Sequence, residues 1–231
     1  MAFRIAINGY GRIGRSVLRA LHRRSAAAQL EIVAINEPAD PESIALLTRY
    51  DSNHGTLDER VELTPAGLRV GEKPIALLPG IEPPDTPWAE KRIDLVMDCT
   101  GEPGTRARAT AHLEAGAGRV LYSQPASADV DLTVIHGFNH RALKPAHRIV
   151  AAGSCTSNCI IPVLDVLTKA FGIERGAVTT IHSAMNDQPV SDTLRGDHLR
   201  LNRAALNAVT PVNTALERGI ARLMPALEGC F

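Results

Sequence analysis

The sequence predicts an α/β fold: a doubly wound, mostly parallel sheet over residues 1–153, then an α+β domain over residues 154–231. Three observations predict it. Short apolar runs of Val, Ile, Leu and Ala alternate with segments of helical spacing, which is the pattern of βαβ units. A glycine-rich turn separates the first such run from the first helical segment. After residue 153 the alternation gives way to one long helix and one β-branched run.

Taken in order, 3-FRIAIN-8 reads as a buried strand that ends at glycines. In the following 11-GRIGRSVLRALHRR-24, Ile13, Val17, Leu18 and Leu21 share one helical face. The run 31-EIVAIN-36 is the next strand and completes a βαβ unit. A helix is expected around Pro41 to Thr48, and short β pieces from Glu59 to Leu78. The proline-rich 80-GIEPPDTPW-88 must be loop. Then come a strand in 93-IDLVMDCTG-101, a helix from Arg106 to Ala115, and strands in 119-RVLYS-123, 131-DLTVIHG-137 and 148-RIVAAG-153. Ile160, Ile161, Leu164 and Leu167 keep helical spacing up to Gly172, and 176-GAVTTIHSAM-185 reads as a strand.

Composition narrows the function classes. Lys plus Arg and Asp plus Glu both number 25, so the net charge is zero, and nothing electrostatic points to nucleic acid or an anionic membrane as partner. The N-terminus has no apolar signal core, and no run approaches the roughly 18 apolar residues of a membrane helix. Cys99, Cys155, Cys159 and Cys230 form no secretory disulfide framework. A reduced, cytoplasmic chain is expected.

The turn 8-NGYGRIG-14 carries G-x-G-x-x-G at Gly9, Gly11 and Gly14. The pattern alone is weak. Here it follows a predicted strand, opens a helix, and is followed about 20 residues on by an acidic residue, Glu37, at the end of the next strand. That is the context of a dinucleotide-binding Rossmann domain. Gly9 permits the tight turn, Gly11 lets backbone approach a pyrophosphate, and Gly14 lets helix pack on strand. The helix N-terminus offers N–H groups and partial positive charge to phosphates. Glu37 can accept the ribose hydroxyls and repels a 2′-phosphate, so NAD is expected rather than NADP. The segments 98-DCTG-101 and 122-YSQPA-126 end later strands and are expected to line the same crevice.

Cys155 and Cys159, in 153-GSCTSNCIIP-162, admit several readings. A zinc site needs more ligands, and Cys99, Cys230 and His182 do not complete a set, so no metal is expected. A disulfide does not suit a reducing compartment. A buried structural pair is the plainest alternative. Context favours a nucleophile at Cys155, in the first turn of the predicted helix, where the helix N-terminus stabilises a thiolate. Cys159, one turn on beside Ile160, is expected to be structural. The β-branched run supplies His182 as a candidate base. A thiolate, a base and a hydride acceptor together describe aldehyde oxidation through a thiohemiacetal and a thioester, with the Cys155 N–H as oxyanion donor.

INGYGRIGR, AINE, YDSNHG, DCTG, SCTSNCIIP and IHSAMNDQ together resemble the phosphorylating glyceraldehyde-3-phosphate dehydrogenase family, over the whole chain. The resemblance implies that Cys155 is the nucleophile and His182 its activator. It implies that Arg12 and Ile13 contact the pyrophosphate through their backbone, and that Thr100 and Ser123 line the nicotinamide side. Ser154, Thr156 and Thr214 match positions around an anion site. Two departures point to the sister group that oxidises D-erythrose 4-phosphate to 4-phosphoerythronate toward vitamin B6, with water releasing the acid. Met185 stands where the family usually has a phosphate-binding threonine, and Glu37 where it usually has aspartate. Ala215 replaces a usual glycine after Thr214. The resemblance further implies a homotetramer. It also implies a catalytic domain longer than the one present, so the chain is expected to be an incomplete catalytic domain, weakly active or inactive alone. Phosphorylating glyceraldehyde-3-phosphate dehydrogenase and a bare NAD-binding fragment are the alternatives.

Overall fold

The first apolar run forms β1 (Phe3–Asn8), and its last four residues are buried. It lies in the middle of a nine-stranded sheet. The structure is a computed structural model and describes residues 2–24, 29–83, 85–185, 188–194, 199–212 and 215–231. After β1 come helix α1 (Arg12–His22), β2 (Leu30–Asn36) and α2 (Pro41–Arg49). A two-residue pair, β3 (Tyr50–Asp51) and β4 (Gly55–Thr56), precedes β5 (Val61–Thr64), β6 (Gly67–Val70) and β7 (Lys73–Leu78). Then follow β8 (Leu95–Asp98), α3 (Arg106–Glu114), β9 (Arg119–Tyr122), β10 (Leu132–Thr133) and β11 (Ile149–Ala151).

The sheet order is β10-β11-β9-β8-β1-β2-β7-β6-β5. Every pair from β10 to β7 is parallel, and the β7-β6-β5 edge is antiparallel. The chain runs outward from β1 in one direction through β2 and β7, and in the other through β8 and β9. The strand order therefore reverses beside β1, and a crevice opens at the carboxyl ends of β1 and β8. Ile5, Ile7, Ile32, Ile35 and Leu18 pack together in the core, each fully or nearly fully buried. Each such side chain contributes roughly 1.5–3 kcal/mol relative to exposure.

On α1 the predicted inner face is only partly observed. Leu18 is buried, but Ile13 is 45% exposed and Arg19 is buried in its stead. The Arg19 guanidinium donates to the carbonyls of Thr48 and Arg49 at 2.9 and 3.0 Å, which capture the open C-terminal end of α2.

Two compact units divide the chain, Met1–Asn158 and Cys159–Phe231. The sheet belongs to the first. Helix α4 (Cys155–Phe171) starts at its end. In the second unit, α4 is followed by α5 (Leu216–Leu223), whose Ile220 is buried, and by a tie from the Gly176 N–H to the Cys230 carbonyl at 2.8 Å. The strand predicted over 176–185 is not formed. These residues run without regular structure and are exposed. A β-branched run becomes a strand only when a second strand accepts its hydrogen bonds, and the described residues of this unit contain none. Among the described residues, no helix is long and apolar enough to cross a membrane.

Candidate active site

The glycine turn shows why its residues must be small. Gly9 has φ +84°, and a Cβ there would sit 2.6 Å from the Thr100 nitrogen. A Cβ on Gly14 would meet the Gly9 carbonyl at 2.5 Å and the Ile7 side chain at 3.1 Å. A Cβ on Gly11, by contrast, would have nothing within 4 Å. Gly11 is the N-cap of α1 and brings no side-chain oxygen to its first turn. Arg12 and Ile13 follow it, and both are exposed.

A cavity of about 350 Å³ opens onto this turn. The ends of four neighbouring strands line it: Gly9 after β1, Glu37 after β2, Gly80 after β7 and Thr100 after β8. The Glu37 carboxylate accepts the Tyr10 N–H at 2.7 Å. Beneath it, Asn36 donates to the Asn8 side-chain oxygen at 2.7 Å and exchanges two hydrogen bonds with the Ile81 backbone. The Asn8–Asn36 clasp eluded the sequence reading, although both strands end in the same Ile-Asn pair.

Asp98 forms the second part of the floor. Its side chain is fully buried. One oxygen accepts the Thr100 hydroxyl and N–H at 2.7 and 3.2 Å; the other accepts Arg108 Nε at 3.1 Å. Burial pushes its pKa up, but contacts from His112, Thr100 and Arg108 outweigh burial and hold it well below the usual carboxylate range. His112 is itself fully buried and accepts the Trp88 indole N–H at 2.9 Å. Cys99 also lines the cavity, and burial pushes its thiol up to about 11 despite the opposing effect of the Ser123 side chain. Ser123 follows β9, donates to Gln124 at 2.8 Å, and is not among the cavity's lining residues.

Cys155 is the first residue of α4 and is exposed, with Thr156 Oγ1 3.9 Å from its sulfur. Ser154 caps the helix: its hydroxyl accepts the Ser157 N–H at 2.9 Å. Asn158 braces the turn from its amide to the Ala152 and Ser154 carbonyls at 2.7 and 2.9 Å. Cys159, expected as a structural residue, is exposed; the buried face of α4 is carried by Ile161 and Leu164. His182 lies in the exposed 176–185 segment, with Nδ1 2.7 Å from the Ser183 carbonyl. A carbonyl only accepts, so Nδ1 carries the hydrogen and the neutral ring has its lone pair on Nε2. Thr214 lies outside the described residues.

The NAD-binding-domain model of glyceraldehyde 3-phosphate dehydrogenase matches residues 3–106, and the C-terminal-domain model of the same enzyme matches residues 154–231. The chain belongs to the glyceraldehyde 3-phosphate dehydrogenase family. Its cofactor is NAD, and its two domains are those of an NAD-dependent dehydrogenase. The residues present fit the cofactor: open space at Gly11 before a helix N-terminus suits a pyrophosphate, and a fixed carboxylate at Glu37 suits ribose hydroxyls. The residues lining this cavity all belong to the first unit.

Proposed function

We propose that the protein oxidises D-erythrose 4-phosphate to 4-phosphoerythronate, a step toward vitamin B6. The observation that carries this choice is Met185, three residues after His182. A thioether has no hydrogen to donate, so this position offers nothing to a substrate or inorganic phosphate. Glu37 in place of aspartate supports the same reading.

In this reading Cys155 is the nucleophile. Its place at the start of α4 favours the thiolate. The sulfur adds to the aldehyde carbon, and the Cys155 N–H supports the oxygen that becomes negative. His182 takes the proton on Nε2, while Ser183 fixes the ring through Nδ1. NAD, when bound, supplies the acceptor for the hydride that leaves this carbon. The thioester left on Cys155 is cleaved by water, which releases the acid and restores the thiol. The glycine turn, with backbone at Arg12 and Ile13, holds the pyrophosphate; Glu37 holds ribose; Thr100 and Ser123 flank the nicotinamide side. Ser154, Thr156 and Thr214 are the residues proposed for the anion. Four cysteines outside disulfides suit a cytoplasmic protein. A homotetramer is the proposed assembly.

One observation favours a second reading, phosphorylating oxidation of glyceraldehyde 3-phosphate. Thr156 keeps a hydroxyl beside the Cys155 sulfur, where a phosphate could be bound. The test is NADH formation from each aldehyde, with and without inorganic phosphate. Faster turnover of the four-carbon substrate, independent of phosphate, supports the proposal. Strict phosphate dependence with the three-carbon substrate overturns it in favour of the second reading.

A further inference from the structure

We propose that Arg108 is a contact residue for the adenine of the bound dinucleotide and that Asp98 is the positioning residue holding it there; the proposal rests on NAD occupying the cleft beside Gly9. The cleft has an order. The helix tip at Gly11 suits the pyrophosphate and Glu37 suits the ribose. The remaining walls include Pro38 after β2, and Gly80, Glu82, Thr100, Glu102 and Arg108 from the loops after β7 and β8 and the first turn of α3. No lining residue comes from β9, so the cavity is the half over the ends of β7, β2, β1 and β8, where the base falls beyond the ribose.

Within that half, Arg108 alone among the lining residues is cationic. A guanidinium is planar and stacks on aromatic faces, and a purine offers such a face. Its side chain is 23% exposed, so it is largely stripped of water. The buried Asp98 carboxylate takes its Nε at 3.1 Å, and Glu82 lies 3.7 Å from Nη1. The same carboxylate fixes Thr100 with its other oxygen, so one buried group sets two cleft residues at once. Behind it stand two buried rings. The Trp88 indole can only donate, so His112 Nδ1 accepts, and Nε2 carries a hydrogen and lies 3.6 Å from Asp98. Asp98 offsets the charge of Arg108, and Glu37, Glu82 and Glu102 surround the space. The guanidinium therefore presents a surface for a base more than a charge for a 2′-phosphate.

The test is titration calorimetry of the whole 231-residue chain with NAD, AMP and NADP. Arg108→Ala is expected to weaken NAD and AMP by the same factor, about tenfold. Equal losses place the defect in the adenosine half, because collapse of the site would cost NAD its further contacts and AMP less. Arg108→Lys keeps a cation for buried Asp98, so the fold is secured, yet it loses the planar surface and is expected to weaken AMP as well. Asp98→Asn is expected to weaken AMP with Arg108 in place and to add little to Arg108→Ala. AMP affinity within about twofold of wild type in both Arg108 variants overturns the contact role. A loss from Asp98→Asn that persists in full without Arg108 overturns the positioning role. NADP binding tighter than NAD in wild type, with that preference gone in Arg108→Ala, assigns the guanidinium to a phosphate and overturns the adenine contact. A wild-type chain that binds no NAD removes the cofactor reading together with this one; binding that ignores Arg108 removes this one alone.

Discussion

The Glu37 carboxylate accepts the Tyr10 N–H at 2.7 Å and so ties the end of β2 to the glycine turn after β1. The same group is placed to receive ribose hydroxyls, so its acceptor strength and its charge can be separated by substitution. Glu37→Gln keeps an oxygen for Tyr10 and removes the negative charge. We expect an unchanged fold and a rise of about tenfold in NADP affinity relative to NAD, equivalent to about 1.4 kcal/mol. Binding titrations with both nucleotides check this.

His112→Phe fills the volume of the imidazole but removes the acceptor for the Trp88 indole N–H, in a place where both side chains are fully buried. An unsatisfied buried donor costs about 1–3 kcal/mol. Urea unfolding should show that loss. Trp88 is the single tryptophan, so its native emission should change in the same variant.

Acid should loosen the β10–β11 edge through Asp131. Its carboxylate accepts the Arg148 and Ile149 N–H groups at 2.7 and 2.9 Å and pairs with Arg106 at 2.7 Å. Burial raises its pKa, but Arg106 and the two N–H groups together lower it from 3.8 to about 2. The folded pKa lies below the unfolded one, so the stabilisation is complete above about pH 4 and is lost as pH falls towards 2. Urea midpoints measured down this range should fall more steeply for the wild type than for Asp131→Asn, which lacks the titrating group.

Two cysteines should differ sharply in alkylation. Cys155 is exposed at a helix start, whereas Cys99 is buried with its thiol raised to about 11. Brief treatment of the native chain with iodoacetate, read by peptide mass spectrometry, should label Cys155 and spare Cys99. Cys155→Ser should abolish turnover, and His182→Asn should lower it about 10²–10⁴-fold. A Cys155 no more reactive than a free thiol in solution would refute the nucleophile assignment and favour a simple NAD-binding module.

What could be read from the sequence followed local rules. Gly9 and Gly14 stand where a Cβ would strike backbone, and the alternation of apolar runs and helical spacing located β1, α1 and β2. What could not be read depended on partners far along the chain. Trp88 sits in a proline-rich loop, 24 residues from His112, and no spacing rule joins them. Arg19 is buried because α2 brings its last carbonyls alongside, which the helical spacing of α1 does not reveal. The 176–185 run has strand composition, yet a strand also requires a neighbour, which composition does not reveal.

Backbone meets backbone where Gly9 comes up against Thr100. No side chain can be inserted there to narrow the floor of the crevice, and none can be trimmed away to widen it. Any redesign of ligand preference must therefore act on the rim, through residues such as Glu37, Glu82 and Arg108, while the seam beneath them stays as it is.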